Sequence, residues 1–189
     1  MTFFEIIKRT FNIISSPTNS WEKLSDEFSN SAKKDATFFY TLLALNVGAA
    51  FIGTLFSNNN FAFVTAILKS IIWGIAIYGG YWAVYYVLVE LLFKRHHINI
   101  EKEKSIRLIF YSFALTLTIH IITFLFPSLE FLKIALIYTL FIVWEGVGKM
   151  IPTLNENERS NFVLLLSGSI ILLPIIIYQC FILFVPAAQ

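Results

Sequence analysis

Charge is what this chain has least of. Only 14% of its 189 residues are charged, against 57% hydrophobic, whereas soluble domains carry about 25% charged and roughly 45–50% apolar residues. That shortfall excludes a water-facing surface of ordinary make-up, and a mean hydropathy of +0.73 places the chain among polytopic membrane proteins. Cysteine is nearly absent too. Cys180 stands alone inside an apolar run, which excludes an internal disulfide and a cysteine-based metal site. The short signatures of catalysis are also missing, with no nucleophile elbow, phosphate loop, HExxH or HxxEH arrangement. His96 and His97 are adjacent rather than spaced as paired ligands. No enzyme activity, metal or cofactor is therefore expected, and the lack of a basic domain argues against nucleic acid as a partner.

What is present in quantity is apolar length. Five runs, at residues 36–56, 70–93, 106–126, 129–150 and 162–185, each reach the ~20 residues that a spanning helix needs. Their apolar character is continuous rather than alternating with period two, which points to helices and not a barrel. The expected fold is all-α: a five-helix transmembrane bundle over residues 36–189, preceded by a cytoplasmic amphipathic segment at 1–35. Only Pro127 and Ser128 separate spans 3 and 4, so these must form a tight antiparallel hairpin. Residues 61–93 are too long for one perpendicular crossing, at roughly 50 Å of helix against ~30 Å of hydrocarbon. Either the helix tilts or extends outside the core, or 61–68 form a separate interfacial piece with Lys69 snorkelling at the boundary, and the second is the preferred expectation.

The first 35 residues are organised differently. Phe3, Phe4, Ile7, Phe11 and Ile14 share one helical face, while Glu5, Lys8, Arg9 and Asn12 share another. Such a helix suits the membrane interface, or equally a seat against the protein's own spans. The charges at Glu5, Lys8 and Arg9 interrupt the run in a way foreign to a cleavable signal peptide. In "SPTNSWEKL", Ser16 can N-cap a helix with Pro17 at its first position, and Asn19 with Glu22 offers a second possible start. Trp21, Leu24 and Phe28 then form an apolar stripe. Together with Lys94 and Arg95 in the "KRHH" cluster, they are the candidate lipid or partner surface.

Basic residues orient the chain. Twelve of the 14 fall before span 1, between spans 2 and 3, or around the loop after span 4; only Lys69 and Lys133 border the opposite connections. The positive-inside rule then puts the N-terminus in the cytoplasm and the C-terminus outside. The expected location is a bacterial inner membrane, or an endomembrane if the source is eukaryotic.

Polar residues within spans are expensive and often functional. Glu90 precedes Lys94 by four residues and Glu145 precedes Lys149 by four, an order suited to helix C-terminal ends. These pairs either ease helix ends into the interface or, with Arg107, line a cytoplasm-facing vestibule. Asn46, His120 and Gln179 would lie above it, although lone groups of this kind more often bridge helices. Glu130 and Lys133 read as an outer anchor. Four-residue spacings of small residues, Ala44/Gly48, Ala49/Gly53, Ala76/Gly80 and Gly79/Ala83, permit close helix approach. They suggest a tight contact between spans 1 and 2, or between copies of the chain.

Three stretches carry a resemblance. "IISSPTNSWEKLSDE", with Pro17 and Trp21, "RLIFYSFA" at 107–114, and "YTLFIVWEGVGKMIPTLNENERSNF" at 138–162 are together similar to the bacterial branch of the Yip1-domain membrane proteins. The second departs from the family pattern, having Ala114 or Leu115 where a proline usually follows. The resemblance implies five spans, a cytosolic N-terminus and a short exoplasmic tail. Eukaryotic members of that family resemble adaptors in vesicle traffic that engage lipid-modified small GTPases, but no partner-binding motif can be matched residue by residue here. The resulting expectation is a non-enzymatic membrane scaffold or envelope-organising protein, with self-association or membrane-protein partners. The alternative is a small transporter or channel built on the polar residues just named.

Overall fold

Long apolar stretches become long helices, because within one segment only a helix satisfies the backbone amides inside hydrocarbon. A computed structural model describes residues 1–27, 32–57, 63–94, 98 and 101–183. Within it, five helices are long and apolar enough to cross a membrane. Span 1 is α3, Ala32–Ser57; span 2 is α4, Phe63–Tyr86, which continues as a π-helical turn over Val87–Phe93. Span 3 consists of α5, Lys102–Ser112, and α6, Ala114–Leu125, joined at Phe113. Span 4 starts as a 3-10 helix, Pro127–Tyr138, and passes into α7, Thr139–Met150; span 5 is α8, Glu156–Leu183. No strand occurs among the described residues, and the all-α bundle expected from the sequence is the fold.

Span 3 is the pillar. Some 72% of its apolar window is buried, against 33–39% for the other four. Span 1 packs on spans 2 and 3, span 2 on span 5, span 5 on span 4, and span 4 back on span 3. The hairpin between spans 3 and 4 forms as the short link requires. Phe126 leaves the helical region at φ −130°, ψ 81°, Pro127 opens the next helix, and the Leu129 N–H donates to the Phe126 carbonyl at 2.9 Å. The 3-10 segment is not one unbroken helix: Leu129, at φ −95° and ψ 19°, leaves the helical region and kinks it.

One expectation needs correction. Residues 63–68 are not a separate interfacial piece: they are the first turns of α4, and Ala66 within them is fully buried. Nothing between Phe63 and Lys69 breaks a helix, so the segment extends rather than stops, and 31 residues at 1.5 Å reach about 46 Å. Excess length of this kind is absorbed by tilt or protrusion. Residues 61 and 62 lie outside the described residues.

The small residues also work elsewhere than expected. Spans 1 and 2 do pack, with Gly74 under the Val47 side chain, where a Cβ would sit 2.8 Å from its Cγ2. Gly53, however, faces span 3: a Cβ there would overlap the Phe124 carbonyl. Gly80 faces span 5 and receives the ring of Pro174, whose Cγ would lie 2.6 Å from an added Cβ. Gly48 has nothing within 4 Å of that position.

Two short helices precede the bundle. Helix α1, Phe3–Ser15, opens with a reciprocal capping box: the Glu5 N–H donates to Thr2 Oγ1 and the Thr2 N–H donates to the Glu5 carboxylate at 2.8 Å. That backbone bond holds the exposed Glu5 carboxyl below its usual range. Ser16 ends α1 and starts α2, Pro17–Asp26, with Pro17 at its first position and no side-chain cap from Ser16. The alternative start at Asn19 is not used. Helix α1 packs on α2 and α6, and α2 packs on α7, so the N-terminal segment is folded into the bundle.

Overpacking a tight helix contact costs ~1–3 kcal/mol. Gly53→Ala and Gly80→Ala should each lower the thermal midpoint of the detergent-solubilised protein, Gly53→Ala more because backbone cannot rotate away. Gly48→Ala, with open space around it, should leave the midpoint unchanged, and equal effects at all three would contradict these contacts.

Candidate functional site

The strongest polar constellation forms where the N-terminal helices meet spans 1 and 3. Arg107, in the second turn of α5, is 3% exposed, and its Nε donates to Asp35 Oδ2 at 2.9 Å. One terminal nitrogen of the same guanidinium donates to the carbonyls of Leu24, at 2.8 Å, and Glu27, at 2.9 Å. These are the last carbonyls of α2, the negative end of its dipole, so Arg107 caps that helix with a full positive charge. The other Asp35 oxygen accepts from the Tyr111 hydroxyl at 3.1 Å. Arg9 of α1 completes the chain: it donates to the Tyr111 hydroxyl at 2.8 Å and to both carboxylate oxygens of Glu27, at 2.7 and 3.3 Å. Four separate segments are thereby tied through two arginines. Tyr111 is further clamped by Phe38, stacked at 4.4 Å between centroids, and by the edge of Trp21.

Trp21 anchors α2. Its side chain is fully buried, and Nε1 donates to the Ile142 carbonyl of α7 at 2.8 Å. The indole fits because residue 146 is glycine: a Cβ there would lie 2.7 Å from two of its ring carbons. Trp21 and Leu24 (0% and 5% exposed) are therefore not a lipid or partner surface. The stripe looked available because a short amphipathic helix shows the same pattern whether membrane or bundle covers it. Lys94 does remain exposed and pairs with Glu90, while Phe28 and Arg95 lie outside the described residues.

A second polar centre sits deeper. Asn46 is fully buried; it accepts from Trp73 Nε1 at 2.8 Å and donates to the Leu117 carbonyl at 2.6 Å. His120 packs edge-on against the Trp73 ring at 4.9 Å, and Phe124 and Tyr178 contact the same ring at 5.4 and 5.1 Å. Trp73 thus joins spans 1, 2, 3 and 5.

The sequence candidates fall into these separate places. Asn46 and His120 come together around Trp73. Arg107 is withdrawn into the pair with Asp35. Lys149 reaches Glu22 of α2 at 3.7 Å rather than Glu145, its neighbour on the same helix, because α2 lies across that end of α7. Glu145 is half-buried, and Gln179 is exposed on span 5. Asp35, Tyr111, Arg9 and Glu27 are not singled out by the sequence, where Asp35 follows Lys33 and Lys34 as one more charge before an apolar run. Between α1 and α2 lies a pocket of about 160 Å³ whose polar lining is Arg9, Asn12, Ser20, Lys23, Glu27 and Tyr111. Comparison with family models, curated proteins and solved structures returns no match.

Removing one member of a buried ion pair costs about 3–5 kcal/mol, mostly through the charge left behind. Arg107→Met should therefore destabilise more than Arg9→Met, whose Glu27 partner is a third exposed, as read by thermal unfolding. Trp21→Phe keeps the ring but loses the bond to Ile142, a loss of about 0.5–1.5 kcal/mol. Both Arg107→Met and Trp21→Phe should speed proteolytic release of residues 1–27 before the spans are cut. Cleavage at unchanged rates would mean the N-terminal helices are held by other contacts.

Proposed function

We propose that this chain is a non-enzymatic integral membrane scaffold or adaptor of the Yip1 type, seated in a bacterial inner membrane with its N-terminus in the cytoplasm. The observation that carries this reading is the use to which the buried polar groups are put. A transport pathway needs its polar side chains along one hydrated passage. Here Asn46 bridges a tryptophan and a backbone carbonyl, Arg107 binds a carboxylate and a helix end, and Gln179 is exposed on span 5. Asn46 and Arg107 are both occupied in joining helices.

What is left for partners is the rim of the N-terminal side. Lys8, Asn12 and Lys23 are exposed there, on helices held rigidly enough to present a defined surface. Lys33, Lys34, Lys102 and Lys104, also exposed, begin spans 1 and 3 at the same end. That concentration of cations supports a cytoplasmic placement, and the family likeness of the Pro17–Trp21 segment and of the end of span 4 agrees with it.

Two measurements test the proposal. In a C180S background, cysteines at Lys133 and Asn155, both exposed positions, should react oppositely with an impermeant maleimide added to intact cells: Lys133 labels and Asn155 does not. The reverse pattern would invert the topology. Photo-crosslinkers at Lys8 and Lys23 should capture the same membrane protein, and K8E with K23E should abolish that capture in a folded protein. Solute or ion flux through liposomes containing the purified chain, together with unchanged crosslinks in the double variant, would favour transport instead.

A further inference from the structure

Helix α1 meets three environments, and its sequence divides among them. At about 100° per residue, Ile6, Thr10 and Ile13 form one strip, and these are the buried residues of the helix. A second strip holds Glu5, Lys8 and Asn12, all polar and all exposed. The third holds Phe3, Phe4, Ile7 and Phe11, at 56%, 75%, 48% and 67% exposure. Three phenylalanines and an isoleucine on one turn-to-turn face form the kind of contiguous apolar patch that marks an interaction surface.

Depth identifies what covers it. The Arg9 side chain meets the hydroxyl of Tyr111, a residue seven positions beyond the exposed Lys104, about 10 Å along the helix axis. Helix α1 also packs on α6, the continuation of the same span beyond Tyr111. A helix seated against span 3 at that level, with its polar strip about 120° round the axis from its phenylalanines, can turn the one to water and the other to acyl chains. The pocket beside Arg9, Asn12 and Ser20 is lined by none of these phenylalanines.

We propose that Phe3, Phe4, Ile7 and Phe11 insert into the acyl-chain region of the leaflet on the N-terminal side, making α1 an in-plane lipid anchor fixed to the bundle. The bilayer is the partner. Interfacial helices bury their apolar face about 5–10 Å below the headgroups, which matches the level at which Arg9 meets Tyr111. Lipid contact here does not depend on the scaffold role: the scaffold concerns the rim lysines, and the anchor concerns another face of the same helix.

The test uses the full-length C180S protein in liposomes of phosphatidylcholine and phosphatidylglycerol, with a nitroxide placed singly at Phe4, Ile7, Phe11, Lys8 or Asn12. All five positions are exposed, so the labelled proteins should melt with the parent. Power saturation should show labels at Phe4, Ile7 and Phe11 several-fold more accessible to oxygen than to a water-soluble nickel chelate, with the order reversed at Lys8 and Asn12. Labels at Phe4 and Phe11 as open to nickel as that at Lys8 would overturn the proposal by placing the face in water. Labels immobilised and closed to both reagents would also overturn it, since a second copy or another protein would then cover the face. Either failure leaves the crosslinking at Lys8 and Lys23 unaffected.

Discussion

The pair between Arg107 and Asp35 is the contact on which the N-terminal half of the architecture turns. Two opposite charges, each nearly sealed from solvent, join the beginnings of spans 1 and 3. The pair also reaches outward, because the same guanidinium grips the end of α2 and the same carboxylate holds the Tyr111 hydroxyl that Arg9 binds. Desolvating such a pair is expensive, and hydrophobic replacements can be as stable. Its value lies in direction: a guanidinium with carboxylate and carbonyl partners fixes angles and register that apolar side chains leave loose. The short helices are thereby set at one orientation on the bundle.

Away from that side the glue changes kind. Beyond the Asn46–Trp73 bridge, the spans are joined by glycines meeting backbone or proline and by rings meeting rings. Lipid tails are as apolar as leucine, so helices in a bilayer gain from close approach and buried hydrogen bonds rather than from escaping solvent. Gly53 against Phe124, Gly80 against Pro174 and the three rings around Trp73 are contacts of this type. Gly146 does the same for Trp21. The flattened cost of polar groups near the interface lets one half be ionic, and the hydrocarbon requires the other half to be steric.

How much of this is legible without coordinates depends on how local each signal is. The five spans are legible because apolar length is a property of contiguous residues, and the hairpin at Pro127 because two residues leave no other route. Asp35 is less so: it follows Lys33 and Lys34 and reads as one more charge outside the membrane, while its partner is 72 positions away. Lys149 has a helical neighbour in Glu145, yet its counter-charge comes from Glu22, and no period along the chain reports a helix lying across another. Small-residue spacing tells that a backbone comes close but not whose, which is why Gly53 and Gly80 point to spans 3 and 5. The Trp21 stripe fails for a related reason, since lipid and bundle ask the same of an apolar face.

Trp21 also carries a consequence for how the protein is made. The carbonyl it binds lies 121 residues further along the chain, and Arg9 waits 102 residues for Tyr111. At roughly 5–20 residues per second, the indole emerges about 6–24 s before Ile142 exists to receive it. Through that interval α1 and α2 have no bundle to rest on, and their outward phenylalanines and unfilled tryptophan are the surfaces that an early membrane contact or a chaperone would hold. Residues 1–27 thus wait for span 4 before they reach their final places, and span 5, which packs on spans 2 and 4, follows it.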